Sequence, residues 1–265
     1  MSVDKPIASS TEVVRVVADA GPAYLKALNN PIGPNALVRD WVATKLAAWF
    51  GLPTLDCAIL DIDANADVIR LHSGRVAASG PAFVTRAIEG DSWGGTADEL
   101  AHVENTDLLT RLVVFDTWVR NVDRYPPQDM PWHVNTDNVL LTREGASTGY
   151  LRFVAFDHTE CFVGTGSELV GTLATREHVE DSRGYGLFPA FTDFLTEEAL
   201  SASLVQLEGL RRPTVSSIVN GMPREWWDGV TRGGDQLVDP IVQRSAYVAS
   251  TISRRVREQC GRLLL

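Results

Sequence analysis

Residues 21–53 read GPAYLKALNNPIGPNALVRDWVATKLAAWFGLP, and the period of the apolar residues changes once along the stretch. At its start, EVVRVV (12–17) and AYLKAL (23–28) are β-rich runs on either side of Asp19, Gly21 and Pro22. Those are turn residues, so the pattern predicts a β-hairpin. NNPIGPN (29–35) is a loop. From Asn35 the period is helical: Leu37, Trp41 and Ala48 recur on one side, Val38, Val42, Leu46 and Trp49 on the next. That predicts a helix over 35–50, with Asn35 as N-cap, Gly51-Leu52-Pro53 as its stop and the Trp41/Trp49 stripe in the core. Lys26 stands in the apolar strand and Asp40 on the helix after it, where the acid can partner the lysine.

Further out, DCAILDID (56–63), DVIRLH (67–72) and PAFVTRAI (81–88) read as strands. Residues 89–107 hold six acids, no Lys or Arg, and glycines at 90, 94 and 95. They read as an exposed linker dividing the chain into 1–90 and 91–265. TDLLTRLVVFDTWVR (106–120) is a strongly periodic helix capped by Thr106 or Asn105. A polar loop (121–137) follows, then two short strands, NVLLT (138–142) and RFVAFDH (152–158). The remainder, from 165, reads as mainly helical. Thr196 caps one helix, and a long last helix near 240–260 carries Arg254, Arg255 and Arg257 on a solvated face. Segregated strands and helices predict an α+β, two-lobed architecture with a β-rich N-lobe and a mainly helical C-lobe.

A formal charge of −10 argues against coating nucleic acid or an anionic membrane, since both reward positive charge. With 45% hydrophobic and 22% charged residues the composition is that of a folded globular chain. Cys57, Cys161 and Cys260 are far apart and form no C-x-x-C pair, which predicts neither a disulfide framework nor a zinc ribbon and fits a reducing, cytoplasmic setting. MSVDKPIASS has no apolar signal core, and no apolar run reaches the ~18 residues of a membrane span. The five histidines show no ligand spacing.

Three polar residues stand out against apolar surroundings. Asp123 follows the periodic helix in NVDR, Asn138 opens one short strand, and Asp157 ends its partner. Two carboxylates and an amide oxygen at one hairpin edge form a hard oxygen cage suited to Mg²⁺ held together with phosphates. A strand Lys26 held by helix Asp40 and aimed at phosphates is the electrostatic arrangement of a two-lobed phosphotransferase. Asp116, inside its helix, reads as structural; Arg124 needs a nearby acid; His158 reads as a packing residue.

The sequence resembles the HipA-like kinases, a bacterial branch of the protein-kinase-like fold related in its C-lobe to phosphoinositide kinases. The matching stretches are residues 21–53, FDTWVRNVDR, NTDNVLL, FVAFDHTECF and, more weakly, IVNGMPREWW, in the family's order. The resemblance implies a Mg²⁺- and ATP-dependent kinase acting on a hydroxyl acceptor, a protein Ser or Thr or the chain itself. It implies Lys26 as the phosphate lysine with Asp40 as its helix partner and Asp123 as the catalytic-loop aspartate. Asn138 and Asp157 would be the metal ligands. PAFVTRAI, with Phe83 and Thr85, would be the hinge strand against adenine.

Two departures bear on function. Fourteen residues (124–137) separate Asp123 from Asn138, where about four are usual in kinases, and Asn135 rivals Asn138 as a ligand. Where a glycine-rich loop would lie, IASSTEVV offers small hydroxyl residues. A catalytically weak binding module and a nucleotidyl-transferring pseudokinase are therefore the alternative readings.

Overall fold

In a computed structural model the chain is described at residues 2–63, 65, 68–162, 169, 173–227 and 235–260. Strands β1 (Ser2–Pro6), β2 (Val14–Ala18), β3 (Gly21–Lys26), β4 (Cys57–Ile62) and β5 (Gly80–Arg86) form an antiparallel sheet ordered β1-β2-β3-β5-β4. The predicted hairpin is β2–β3: Ala18 pairs with Gly21 across Asp19-Ala20, and Gly21 takes φ +113°, open to glycine at no steric cost. β3 is central, and its last residue, Lys26, pairs with Phe83 of β5. β1 was not legible, because every one of its residues is exposed and no alternation marks it.

Helix α1 (Pro34–Trp49) has Gly33 as N-cap rather than Asn35, with Pro34 in the first turn and no side-chain cap. Asn30 orders the turn that leads into the helix: its Oδ1 accepts the N–H groups of Ile32 and Gly33, both at 3.0 Å. Pro34 needs no N–H partner at that position. The strand expected over 67–72 is absent from its described part, 68–72, where Arg70 makes only an isolated bridge to Val76. Ile69 and Leu71 are nevertheless buried, in a small core with Val14, Val16 and Leu25. Their alternation reports burial in a tight turn, closed by the Leu71 N–H to the Arg75 carbonyl and the Ala77 N–H to the Ile69 carbonyl, both at 2.8 Å, that is too short to form a strand.

The expected linker is structured. It holds β6 (Asp91–Ser92) and the short α2 (Ala97–Leu100), whose Thr96 and Glu99 form a capping box. Glu99 also accepts the Gly94 N–H at 3.0 Å, so part of the acid run is consumed locally. Trp93 is 1% exposed and packs on Phe188 and Phe191 with ring centroids 4.9 and 5.1 Å away. Helix α3 (Leu108–Val119) is buried nearly all round, and Asp107, not Thr106 or Asn105, is its N-cap. Asn105 instead exchanges two hydrogen bonds with the Phe153 backbone, at 3.1 and 2.9 Å. β7 (Val139–Thr142) and β8 (Arg152–Ala155) complete a second sheet, β6-β7-β8, and β8 stops three residues earlier than predicted.

Helices α4 (Arg176–Val179), α5 (Glu197–Glu208), α6 (Arg212–Asn220) and α7 (Asp235–Cys260) make up the C-terminal part. Thr196 caps α5 as expected, accepting the Ala199 N–H at 3.1 Å. The solvated face expected on the last helix fails at Arg255, which is buried with its guanidinium 5.6 Å from the Tyr247 ring centroid. A 3-10 turn (Arg224–Trp227) returns to the first sheet: buried Trp226 donates to the Pro81 carbonyl at 2.9 Å and meets Trp41 of α1 edge-on at 6.2 Å. Trp41 in turn donates to the Ile218 carbonyl at 2.9 Å. The helix carrying Asp40 is thus fastened to β5 and to the C-terminal helices. Among the described residues no helix is long and apolar enough to cross a membrane.

Candidate active site

The site collects residues far apart in sequence. Lys26 ends β3 and is nearly buried; its three N–H donors go to Asp40 Oδ2 (2.6 Å), Asp157 Oδ1 (2.8 Å) and Thr159 Oγ1 (2.7 Å). Asp40, buried on α1, also accepts the His158 N–H at 2.8 Å, so it ties the sheet to the segment that carries Asp157. Asp157 follows the end of β8 in the left-handed region at φ +52°, and this turn carries it out of the strand. Burial raises the Asp157 carboxyl, but the Lys26 ammonium and the Thr159 hydroxyl outweigh it and bring it down to about 2. Burial lowers Lys26, but Asp157 and Asp40 more than offset that and hold it above the ordinary lysine value.

Asp123 follows α3 through Arg120, itself at φ +50°, and Asn121, whose Oδ1 accepts the Asp123 N–H at 3.1 Å. Both neighbouring amides donate to Asp123 Oδ2: Asn135 at 3.2 Å, and Asn138 at short range. Burial and the nearby Asp157 charge raise the Asp123 carboxyl above the usual aspartate value. Arg124 finds its acid in Asp116, and its other terminal nitrogen reaches His158 Nδ1 at 3.0 Å and the Phe156 carbonyl at 3.3 Å. His158 packs edge-on against Phe115 and is neutral, because burial and the Arg124 charge lower it well below the histidine value.

In each candidate reactive group one polar atom is spent on positioning and one oxygen is left free: Oδ1 of Asp157, Nδ2 of Asn138 and Oδ2 of Asp123 are the engaged atoms. Asp157 Oδ2, Asn138 Oδ1 and Asp123 Oδ1 have no protein partner among the described residues, although each sister atom is engaged. All three residues line one cavity of about 600 Å³, together with Lys26, Asp40, Phe83 and Thr85. That volume lies in the range of small-molecule and cofactor pockets. The sequence-derived site residues therefore converge. The donor set fits Mg²⁺, which takes one or two protein oxygens and completes its shell with waters and phosphates.

The cavity roof is the loop between β1 and β2. Ile7, Ala8, Ser9, Ser10 and Val13 line the cavity. The Glu12 N–H donates to the Ser9 carbonyl at 3.1 Å and the Val13 N–H to Ser9 Oγ at 3.1 Å, which closes a tight turn. Glu12, at φ +50°, anchors the loop through the Ser73 N–H (2.7 Å) and Arg75 (2.8 Å). The N–H groups of Ala8, Ser9, Ser10 and Thr11 have no partner among the described residues. Small residues in a pinned turn thus occupy the place of the missing glycine-rich loop and offer backbone donors to an anion. Thr159, which touches Lys26 and both of its acids, was missed in the sequence. Its only signal is a hydroxyl two residues after a strand-terminal aspartate.

A sheet lysine paired with an aspartate of the adjacent helix, facing Asp123, Asn138 and Asp157 across one cavity, is the arrangement of a kinase-like phosphotransferase fold. The crystal structure of the proinflammatory kinase CtkA of Helicobacter pylori superimposes with a TM-score of 0.60 at 10% identity, over 97% of this chain and 96% of that one. The MAP kinase LmaMPK10 of Leishmania major aligns at a TM-score of 0.31 and 12% identity, over 98% of this chain and 81% of that one. A search of curated protein sequences found no match. The family profile described as HipA-like kinase matches residues 10–236, and the chain belongs to that family.

Proposed function

We propose that the protein transfers the γ-phosphoryl group of ATP to a hydroxyl acceptor, a Ser or Thr of a protein or of the chain itself. The observation that carries this reading is the set of free oxygens on Asp123, Asn138 and Asp157 around one cavity that also holds Lys26. Residues 1–90 form the nucleotide-binding lobe and 91–265 carry the catalytic loop and metal ligands. Phe83 and Thr85 line the adenine end, and the backbone N–H groups of Ala8, Ser9 and Ser10 together with Lys26 hold phosphate oxygens. Lys26 must exchange one of its three protein partners for a phosphate, and Thr159, a neutral group, is the least costly to release. Asp123 Oδ1 accepts the proton of the acceptor hydroxyl as its oxygen bonds to phosphorus and ADP leaves. Asn138 Oδ1 and Asp157 Oδ2 would hold Mg²⁺, which supplies charge neutralisation on the phosphates. Catalysis is then positioning plus electrostatics. The net charge of −10 disfavours a lipid headgroup acceptor. The separated cysteines support a reducing cytoplasmic setting.

The test is incubation with Mg²⁺ and ATP labelled at the γ- or the α-phosphate, alone and with cell lysate. Label entering protein from the γ position only is the expected outcome. Label from the α position means nucleotidyl transfer, and no label from either means a binding module.

A further inference from the structure

We propose that Asn135 is a positioning residue for Asp123, and that the excursion between Arg124 and Asn138 serves to deliver it; this rests on the phosphotransferase reading above. The excursion is closed at its base. The Asn135 backbone N–H donates to the Arg124 carbonyl at 2.9 Å, so the chain leaves and re-enters the site at adjacent points. Its first turn is docked on the body of the protein: the Gly186 N–H donates to the Tyr125 carbonyl at 2.9 Å, and the Tyr125 ring lies 5.0 Å from that of Phe188. Asn135 is therefore held through its own N–H at the closed base of the excursion, and its Nδ2 reaches Asp123 Oδ2 at 3.2 Å.

The two asparagines use their amides differently. Asn135 Oδ1 accepts the Asp137 N–H at 3.0 Å, so its oxygen is already engaged by the main chain. Asn138 Oδ1 has no protein partner among the described residues. Each donates its nitrogen to the same Asp123 oxygen. A carboxylate with two donors on one oxygen cannot rotate freely, and its other oxygen is aimed by default. A kinase catalytic loop of ordinary length brings one asparagine to this place. Here a second arrives on a longer loop, which fixes the aspartate without spending the metal ligand. Asn135 is thus no rival for the metal; it acts on Asp123 alone.

The test compares Asn135→Ala and Asn135→Leu with the parent protein. The second variant is near-isosteric, uncharged and cannot donate, so it separates the hydrogen bond from packing if the alanine variant folds poorly. The expected result is a loss of roughly tenfold or more in kcat, as for one hydrogen bond to a charged group. KM for ATP, the Mg²⁺ concentration for half-maximal binding and the melting temperature should not change. An unchanged kcat in both variants overturns the proposal. So does a raised Mg²⁺ requirement in Asn135→Ala with a normal one in Asn138→Ala, since that makes Asn135 the ligand. Asp123→Ala, run in parallel, separates the two claims. If it retains transfer, the phosphotransferase role of Asp123 fails first; if it abolishes transfer while the Asn135 variants are normal, only the present inference fails.

Discussion

Arg124 and Asp116 meet at 2.8 Å with neither side chain exposed, which ties the residue after Asp123 to the middle of α3. Removing one partner strands a buried charge, and such breaks cost about 3–5 kcal/mol. Asp116→Ala and Arg124→Ala should each lower the melting temperature by roughly 10 °C, as that energy implies for a chain of this size. Asp116→Leu combined with Arg124→Met should cost less than either single change. Thermal unfolding of the four proteins checks this, and an additive double mutant would count against a coupled pair.

His158 and His178 are both buried, and both are held neutral. Burial and Arg124 keep His158 well below its ordinary value; burial with Arg120 and Arg244 brings His178 down to about 2. Unfolded histidine titrates near 6.5, so below that pH the unfolded chain binds up to two protons that the native one refuses. Stability should therefore fall as pH drops from about 7 to 5.5, with a slope approaching about 2.7 kcal/mol per pH unit at the acid end. His178→Gln should halve that slope. Urea unfolding across the window measures it, and an unchanged slope in the variant would sink the assignment.

Nucleotide binding has a direct thermal readout. Ligands that bind only the native state stabilise it by about 2.7 kcal/mol at a hundredfold excess over Kd. Mg²⁺ with ATP should raise the melting temperature more than ATP with EDTA. Identical curves would speak against metal-assisted binding at Asp157 and Asn138.

Substitutions should separate the site into roles. Asp123→Ala should keep the affinity for Mg²⁺-ATP and lose transfer, because the role proposed for its free oxygen is to take the proton of the acceptor. Asp157→Ala should lose the Mg²⁺-dependent part of binding. Lys26→Met should weaken transfer and also destabilise the fold, because it leaves Asp40 buried beside nothing positive. Equilibrium binding with a fluorescent nucleotide, set beside turnover, distinguishes these patterns.

The tip of the 124–137 excursion is separable from its base. Trp132, at 36% exposure, and Val134, at 54%, stand out from the surface beside the residues that wall the cavity. Replacing 127–133 by a short glycine linker, with Arg124 and Asn135 kept, should leave nucleotide binding and basal ATP turnover intact. It should abolish transfer to the native protein acceptor. Normal modification of that acceptor by the shortened protein would show that the tip takes no part in recognition.

Much of this was legible in the sequence, for identifiable reasons. Lys26, Asp40 and Asp157 stand out because each puts a charge into an apolar run, and burial then forces them together. The hairpin and α1 were marked by a clean change of period. What escaped lacked such marks. β1 is exposed throughout, so nothing alternates. Residues 89–107 looked like a linker because acid-rich, glycine-rich composition hides a capping box and the anchor Trp93. Thr159 is an ordinary polar residue until the fold supplies its neighbours. The asparagine pair was visible, but which nitrogen meets which oxygen is a property of three dimensions.

The backbone hydrogen bond between Arg124 and Asn135 makes the excursion a cassette with fixed ends. Closing a loop costs only about 0.6 kcal/mol more for each doubling of its length. The exposed residues beyond the docked Tyr125 can therefore be lengthened, shortened or rewritten at little cost to the fold, while the base that carries Asn135 stays closed. Drift in that one surface segment would leave the geometry around Asp123 untouched.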